Sequence, residues 1–298
     1  MSETGPKTLG LGSGLIILAI VTCLGLVSAF NAEHFAAKVS THSEIEKTDL
    51  TDRLTDTPTQ NYLTHLKRYS PVTAERLKRE ADTRIRTGGT DQTLSELVLL
   101  SLLMELKDGA AAFRQAPPSH YNRLIDHARQ GLTRLQRENS PWCTGPQLLA
   151  YLEQDDDELI PSLIALYPYQ SDSYDWAMAF GVMALDAIQA GRQAPINRAR
   201  PSNFDKALLQ DAAITLGANQ PTIALQVMAF SASEGTGYRP MKTAVQNIQA
   251  CRLGLFALQT SDRLPEAVRM RVWSDLLPEL FHGNTPYVIW RVNDYFYR

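Results

Sequence analysis

One uncharged segment near the N-terminus constrains this chain more than any other feature of its sequence. The 22 residues from Leu9 to Phe30 contain no Asp, Glu, Lys or Arg. As a helix they would extend about 33 Å, enough to cross the hydrocarbon core of a bilayer. We therefore predict one transmembrane anchor over residues 9–30, behind a short cytoplasmic tail over residues 1–8.

Two other fates of this segment stay open. Val27, Ser28 and Ala29 form the small-residue pattern of a signal-peptide cleavage site, after which the mature chain would be secreted. The other alternative is a helix buried in the protein's own core. The few basic residues beside the segment do not decide its orientation. We expect a single-pass protein of the cell inner membrane with a periplasmic C-terminal part, because such N-terminal segments commonly lead the following chain across the membrane.

Helix start and stop signals recur throughout the rest of the chain. Residues 31–58 are polar and threonine-rich, which predicts a polar tether, with a poorly packed helix that leads into the folded part as the alternative. Over residues 59–298, apolar residues recur at intervals of three and four, with proline, serine or threonine before such segments and glycine after many of them. Strand signals are almost absent. We predict an all-α soluble domain over 59–298, an irregular arrangement of paired helices, with a solenoid-like array as the alternative.

Three local signals place particular helix starts. Pro71 suits the first turn of one predicted helix. Thr93 and Glu96 have the spacing of a capping box, and the run LVLLSLLMEL that follows is apolar on nearly every side. This pattern indicates a central helix rather than a surface helix. Ser202 and Asp205 repeat the capping-box spacing before a further helix.

The three cysteines leave one pairing to consider. Cys23 lies inside the uncharged segment, so Cys143 and Cys251 are the two cysteines of the remaining chain. In an oxidising compartment they are candidates for a disulfide, and two buried thiols are the alternative. Neither belongs to a CxxC motif, which argues against a zinc site.

Composition and missing motifs exclude several functional classes. The formal net charge of −3 and the pI of about 6.1 provide no basic field for nucleic acid. His120 and His127 are seven residues apart, about 10 Å along a helix, which is too far for one metal ion. No metalloprotease, nucleophile-elbow, phosphate-loop or dinucleotide motif is present. The sequence therefore predicts no metal, no cofactor and no nucleic-acid partner.

Aromatic residues gather in two places that are candidate interaction surfaces. Such clusters either bind a partner or pack over the protein's own core. The first surrounds a proline and a serine-rich turn and comprises Tyr167, Tyr169, Tyr174 and Trp176. The second lies near the end of the chain and comprises Tyr287, Trp290, Tyr295, Phe296 and Tyr297.

Three functions remain in competition. The first is a membrane-anchored, non-enzymatic interaction or scaffold protein that supports a membrane-associated complex through a protein partner, with a homo-oligomer as one form of it. The second is an enzyme acting on cell-envelope glycan or peptide, with Glu105, Glu153 and Asp175 as candidate carboxylates. The third is a secreted binding protein, which requires cleavage after the uncharged segment. The absence of catalytic motifs favours the first.

Overall fold

The fold is all-α, as predicted, over the part of the chain that the structure describes. The computed structural model describes residues 49–152, 161, 164–232 and 246–282, together with residues 288, 291, 294 and 295. These residues contain eleven α-helices and no strand. The predicted transmembrane segment, residues 9–30, lies outside the described residues.

The described residues divide into two compact units. The first unit comprises residues 49–124 and 161–197, and the second comprises residues 125–152 and 198–295. The helices of the first unit are α1 (Leu50–Arg53), α2 (Thr57–Tyr69), α3 (Pro71–Arg86), α4 (Asp91–Phe113) and α7 (Asp172–Gln193). Those of the second are α6 (Gly145–Leu152), α8 (Asn203–Asn219), α9 (Pro221–Ala232), α10 (Ala250–Asp262) and α11 (Glu266–Phe281). Helix α5 (Pro118–Arg137) contributes residues to both.

Helix α4 forms the centre of the first unit, as its apolar run predicts. It packs against α3 and α7, and α2 packs against the same two helices. Glycine allows the closest of these approaches. A Cβ atom at Gly109 of α4 would lie 2.8 Å from Cγ1 of Ile188 on α7, and one at Gly191 of α7 would collide with the carbonyl group of Ala112. Larger residues at either glycine would push the two helices apart.

The folded region begins earlier than the sequence indicates. The predicted tether extended to residue 58, but α1 and the start of α2 lie within it, and α1 packs against α3. Leu50 and Leu54 are both buried. They are four residues apart and therefore lie on one side of a helical turn, where they bury apolar surface despite their polar neighbours. Within 49–58 the chain is therefore largely helical, which is the alternative to a tether, and residues 31–48 lie outside the described residues.

Two of the predicted capping boxes have different outcomes. The Ser202 hydroxyl accepts a hydrogen bond from the backbone of Asp205, and the Asp205 side chain accepts from the backbone of Ser202, so this box is confirmed. The box at Thr93 and Glu96 is wrong. Helix α4 begins one turn earlier, with Thr90 accepting from the backbone N–H of Thr93. Thr90 and Thr93 are both suitable N-cap residues, and the sequence alone did not show which of them precedes the helix.

A disulfide links two segments of the second unit. Cys143, in a 3₁₀ turn (Pro141–Cys143), is joined to Cys251 at the start of α10, with their Cα atoms 4.8 Å apart. Beside it, the backbone N–H of Gly145 donates to the carbonyl of Ile248 at 2.9 Å. Across a sequence separation of 108 residues, the cross-link stabilises the unit by about 4–5 kcal/mol in the loop-entropy model.

Candidate functional site

The first aromatic group lies mostly inside the first unit. Tyr167 and Tyr174 are buried, whereas Tyr169 and Trp176 are half-buried. Tyr169 meets Tyr174 edge to face with ring centroids 5.6 Å apart. Trp176 stacks on Phe180 along α7 at 5.8 Å. The group therefore packs over the core, and only two of its four predicted members reach the surface.

Hydrogen bonds fix this packing. The Tyr174 hydroxyl lies 2.9 Å from the hydroxyl of Thr59 on α2, and the backbone N–H of Tyr169 donates to the Gln92 side chain at 2.9 Å. Burial raises the pKa of Tyr174 well above its usual range. Burial also raises the pKa of Tyr169, and the neighbouring Asp56 carboxylate adds to this effect. Both phenols are therefore neutral at physiological pH.

The second aromatic group is described only at Tyr295, because Tyr287, Trp290, Phe296 and Tyr297 lie outside the described residues. Tyr295 is buried. Its hydroxyl donates to Oδ2 of Asp275 on α11 at 2.5 Å, and its carbonyl accepts from Gln210 of α8 at 2.9 Å. Tyr295, the described member of this group, therefore packs inside the second unit and is hydrogen-bonded to α8 and α11.

Charged residues around Tyr295 complete what we call the C-terminal clamp, which comprises Lys206, Asp275, Arg291, Asp294 and Tyr295. The Arg291 guanidinium donates to the buried carboxylate of Asp275 at 2.8 Å. Asp294 accepts from Lys206 of α8 at 2.7 Å and lies 3.6 Å from Arg291. These pairs bring opposite charges together at sites of low exposure, where breaking one is costly.

One further ion pair joins α8 to α11. Asp205 accepts two hydrogen bonds from the Arg271 guanidinium, at 2.6 and 2.9 Å, in bidentate geometry. It also accepts from the Ser202 hydroxyl at 3.0 Å. These donors, chiefly Arg271, lower the pKa of Asp205 to about 2. The carboxylate is therefore ionised, and both of its oxygens accept hydrogen bonds. This arrangement suits a structural role rather than proton transfer.

A histidine cluster in the first unit escaped the sequence analysis. His65 of α2 lies 3.6 Å from Asp186 of α7, and Arg123 of α5 lies 3.8 Å from the same carboxylate. Arg123 also contacts Nδ1 of His120 at 2.9 Å. Burial and the charge of Arg123 lower the pKa of His120, which favours its neutral form. The sequence offered no signal for this grouping, because its members come from three distant helices.

Glu105, one of the candidate catalytic carboxylates, is a core residue. Its side chain is 4% exposed and accepts a hydrogen bond from the Ser70 hydroxyl at 2.5 Å. A carboxylate held inside a unit in this way does not meet a large glycan or peptide substrate. Asp175 is half-buried on α7, and Glu153 lies outside the described residues.

The exposed apolar residues of α8 are the feature that the sequence analysis missed most plainly. Phe204 is 70% exposed and Ile214 is 73% exposed, while Leu209 and Leu216 on the opposite side of the helix are buried. Five of the exposed positions of α8 lie on one side of the helix at intervals of three, four, three and four. We call this surface the α8 face, and it comprises Phe204, Ala207, Asp211, Ile214 and Ala218. Phe204 and Ile214 are thus the two large apolar side chains that α8 leaves exposed.

The described residues contain no group of three or more His, Cys, Asp or Glu side chains placed to hold a metal ion. Among the same residues, we find no helix that combines the length and the apolar character needed to cross a membrane. Comparisons with protein-family models, with curated proteins and with solved structures find no match to this chain.

Proposed function

We propose that this chain is a single-pass, membrane-anchored helical protein whose body supports a membrane-associated complex through protein–protein contacts. The observation that carries the proposal is the uncharged run Leu9–Phe30, which has the length of a membrane span and precedes an all-α body. Residues 31–48 would connect the two.

The disulfide supports a body on the periplasmic or another extracytoplasmic side. Disulfides form and persist in oxidising compartments and are rare in the cytosol. The Cys143–Cys251 bond closes a long loop within the second unit, so its formation is coupled to folding of that unit. An inner-membrane protein with its body in the periplasm would meet this condition.

The α8 face supports the interaction role. A side chain as large as Phe204 or Ile214 gains free energy when it leaves water, at about 25 cal/mol for each Å² of apolar surface buried. The predicted aromatic surfaces contribute less than we expected, because Tyr167, Tyr174 and Tyr295 are buried. Contact through a helix face, rather than through an aromatic groove, is the form of interaction that we propose.

Membrane extraction and protease accessibility test the anchor and the topology together. Full-length chain with a C-terminal tag should stay in the membrane pellet after alkaline carbonate treatment, and protease added to spheroplasts should remove the tag. Leu18→Arg should release the chain from the membrane, because a charge at the centre of a span costs about 3 kcal/mol on insertion. Val72→Arg is the matched control, since Val72 is an exposed apolar residue of the folded body.

N-terminal sequencing separates the anchored protein from the secreted alternative. An intact N-terminus together with carbonate resistance supports the anchor. A soluble chain that begins just after Ala29 contradicts it and favours a secreted binding protein. Labelling of thiols with and without reductant gives the compartment independently, because the Cys143–Cys251 bond should be oxidised in the isolated protein.

A further inference from the structure

The α8 face has the spacing of a helix that packs against another helix. Its exposed positions 204, 207, 211, 214 and 218 alternate in steps of three and four, the a and d pattern of a coiled-coil seam. The opposite side of α8 already packs within the second unit against α9 and α10. One side of α8 is therefore buried within the unit, and the α8 face is a second, exposed side of the same helix.

From this geometry we infer that the α8 face binds the α8 face of a second copy of this chain, with the two helices antiparallel. Phe204 of each copy then lies opposite Ile214 of the other, and Ala207 lies opposite Asp211. The same patch serves both copies, as two-fold symmetry requires. The large residues meet at the two ends of the contact, and the small alanines let the helices approach near its centre.

The single charge on the face selects this arrangement. In a parallel, in-register pair, Asp211 would lie directly opposite Asp211 of the second copy, which repels. The antiparallel pairing places each Asp211 against Ala207 and separates the two carboxylates along the axis. Asp211 also argues against insertion of the face into a bilayer, where a carboxylate is costly and anionic headgroups repel it.

The size of the face sets the strength of the contact. Helix α8 has 17 residues, about 25 Å in length, and a helix is about 10 Å wide. Such a face buries roughly several hundred Å² on each copy, near the lower limit of specific interfaces. The dimer is therefore weak in solution. If the chain is anchored as proposed above, confinement to one membrane strengthens the dimer through a higher effective concentration.

Light scattering on the full-length chain in detergent tests the inference. Over a dilution series, the protein mass should fall from twice 33.2 kDa to 33.2 kDa. Phe204→Asp and Ile214→Asp should each raise the dissociation constant more than about tenfold, because each change places two charges in the apolar contact. Val72→Asp is the matched control, since Val72 is 82% exposed but lies on α3, and it should leave the dimer unchanged.

Disulfide trapping tests the orientation of the two helices. In a Cys23→Ser background, a mixture of Ala207→Cys and Asp211→Cys chains should cross-link faster than either variant alone. Faster self-cross-linking of each variant would overturn the antiparallel pairing. Unchanged thermal unfolding by circular dichroism, expected for such exposed positions, shows that the variants fold.

The outcomes separate this inference from the proposed anchor. A wild-type chain that is monomeric at every concentration overturns the dimer, as does a dimer that Phe204→Asp leaves intact; the latter result would point to another surface, such as the membrane segment itself. Release from the membrane under carbonate contradicts the anchor alone, since an unanchored chain is still expected to dimerise at high concentration.

Discussion

Replacing Asp205 with Asn tests whether its pair with Arg271 stabilises the second unit through charge. The Arg271 guanidinium lowers the pKa of Asp205 from 3.8 to about 2. Such a shift corresponds to roughly 2.4 kcal/mol of stabilisation at neutral pH. Because the Arg271 side chain is 29% exposed, solvent screens part of this attraction. We therefore expect Asp205→Asn to lower the free energy of unfolding by about 1–2 kcal/mol at pH 7.

The pH dependence of this loss has a definite sign. The pKa of Asp205 is lower in the folded chain than in the unfolded chain. Its charge therefore stabilises the fold fully above about pH 4, and this contribution disappears as the pH falls from about 4 to about 2. The difference between wild type and Asp205→Asn should be constant from pH 7 to pH 5 and should shrink below pH 4.

Urea unfolding followed by circular dichroism, at pH steps between 7 and 2.5, measures this difference. In thermal unfolding at pH 7, we expect Asp205→Asn to melt about 3–8 °C below wild type. Asp108→Asn is the control, because Asp108 is exposed on α4, and it should change the stability by less than about 0.5 kcal/mol. A difference between wild type and Asp205→Asn that stays the same down to pH 2.5 would refute the charge-based reasoning.

Three further changes have expected outcomes. Gly109→Ala should lower the free energy of unfolding by about 1–3 kcal/mol, measured by urea unfolding, because the added methyl group crowds α7. Removing the Cys143–Cys251 disulfide with paired serines should cost about 2–5 kcal/mol, and adding reductant should then have no further effect on the melting temperature. Tyr174→Phe should cost about 1 kcal/mol through the lost hydrogen bond to Thr59, and an equal loss in Tyr174→Phe combined with Thr59→Val would assign that cost to the bond.

Local signals in the sequence predicted the helices well. The all-α class, the helix that begins at Pro71 and the capping box at Ser202 and Asp205 depend on contacts within a few residues, which a sequence displays directly. The choice between a tether and a helix over 49–58 stayed open for a related reason. The overall polarity of this segment concealed Leu50 and Leu54, whose shared side becomes visible only when the segment is helical.

Contacts between distant segments were beyond the same reasoning. Arg271 reaches Asp205 across 66 residues, and Asp294 reaches Lys206 across 88 residues. No periodicity links such positions, and an arginine pairs equally well with many carboxylates. The aromatic enrichment near the end of the chain left open whether the group packs on its own chain or on a partner, and its described member Tyr295 is buried by its own chain.

The α8 face shows why apolar pattern alone does not locate an interface. Both α4 and α8 carry apolar residues on more than one side, and for α4 this pattern correctly predicted a central helix. The first unit surrounds α4 with neighbours, whereas the second unit leaves Phe204 and Ile214 of α8 exposed. The apolar pattern of a helix indicates how much apolar surface it carries. How much of that surface stays exposed depends on the helices that pack around it, and among the described residues those around α8 leave Phe204 and Ile214 exposed. That remainder on α8 is the reason to expect a second chain there.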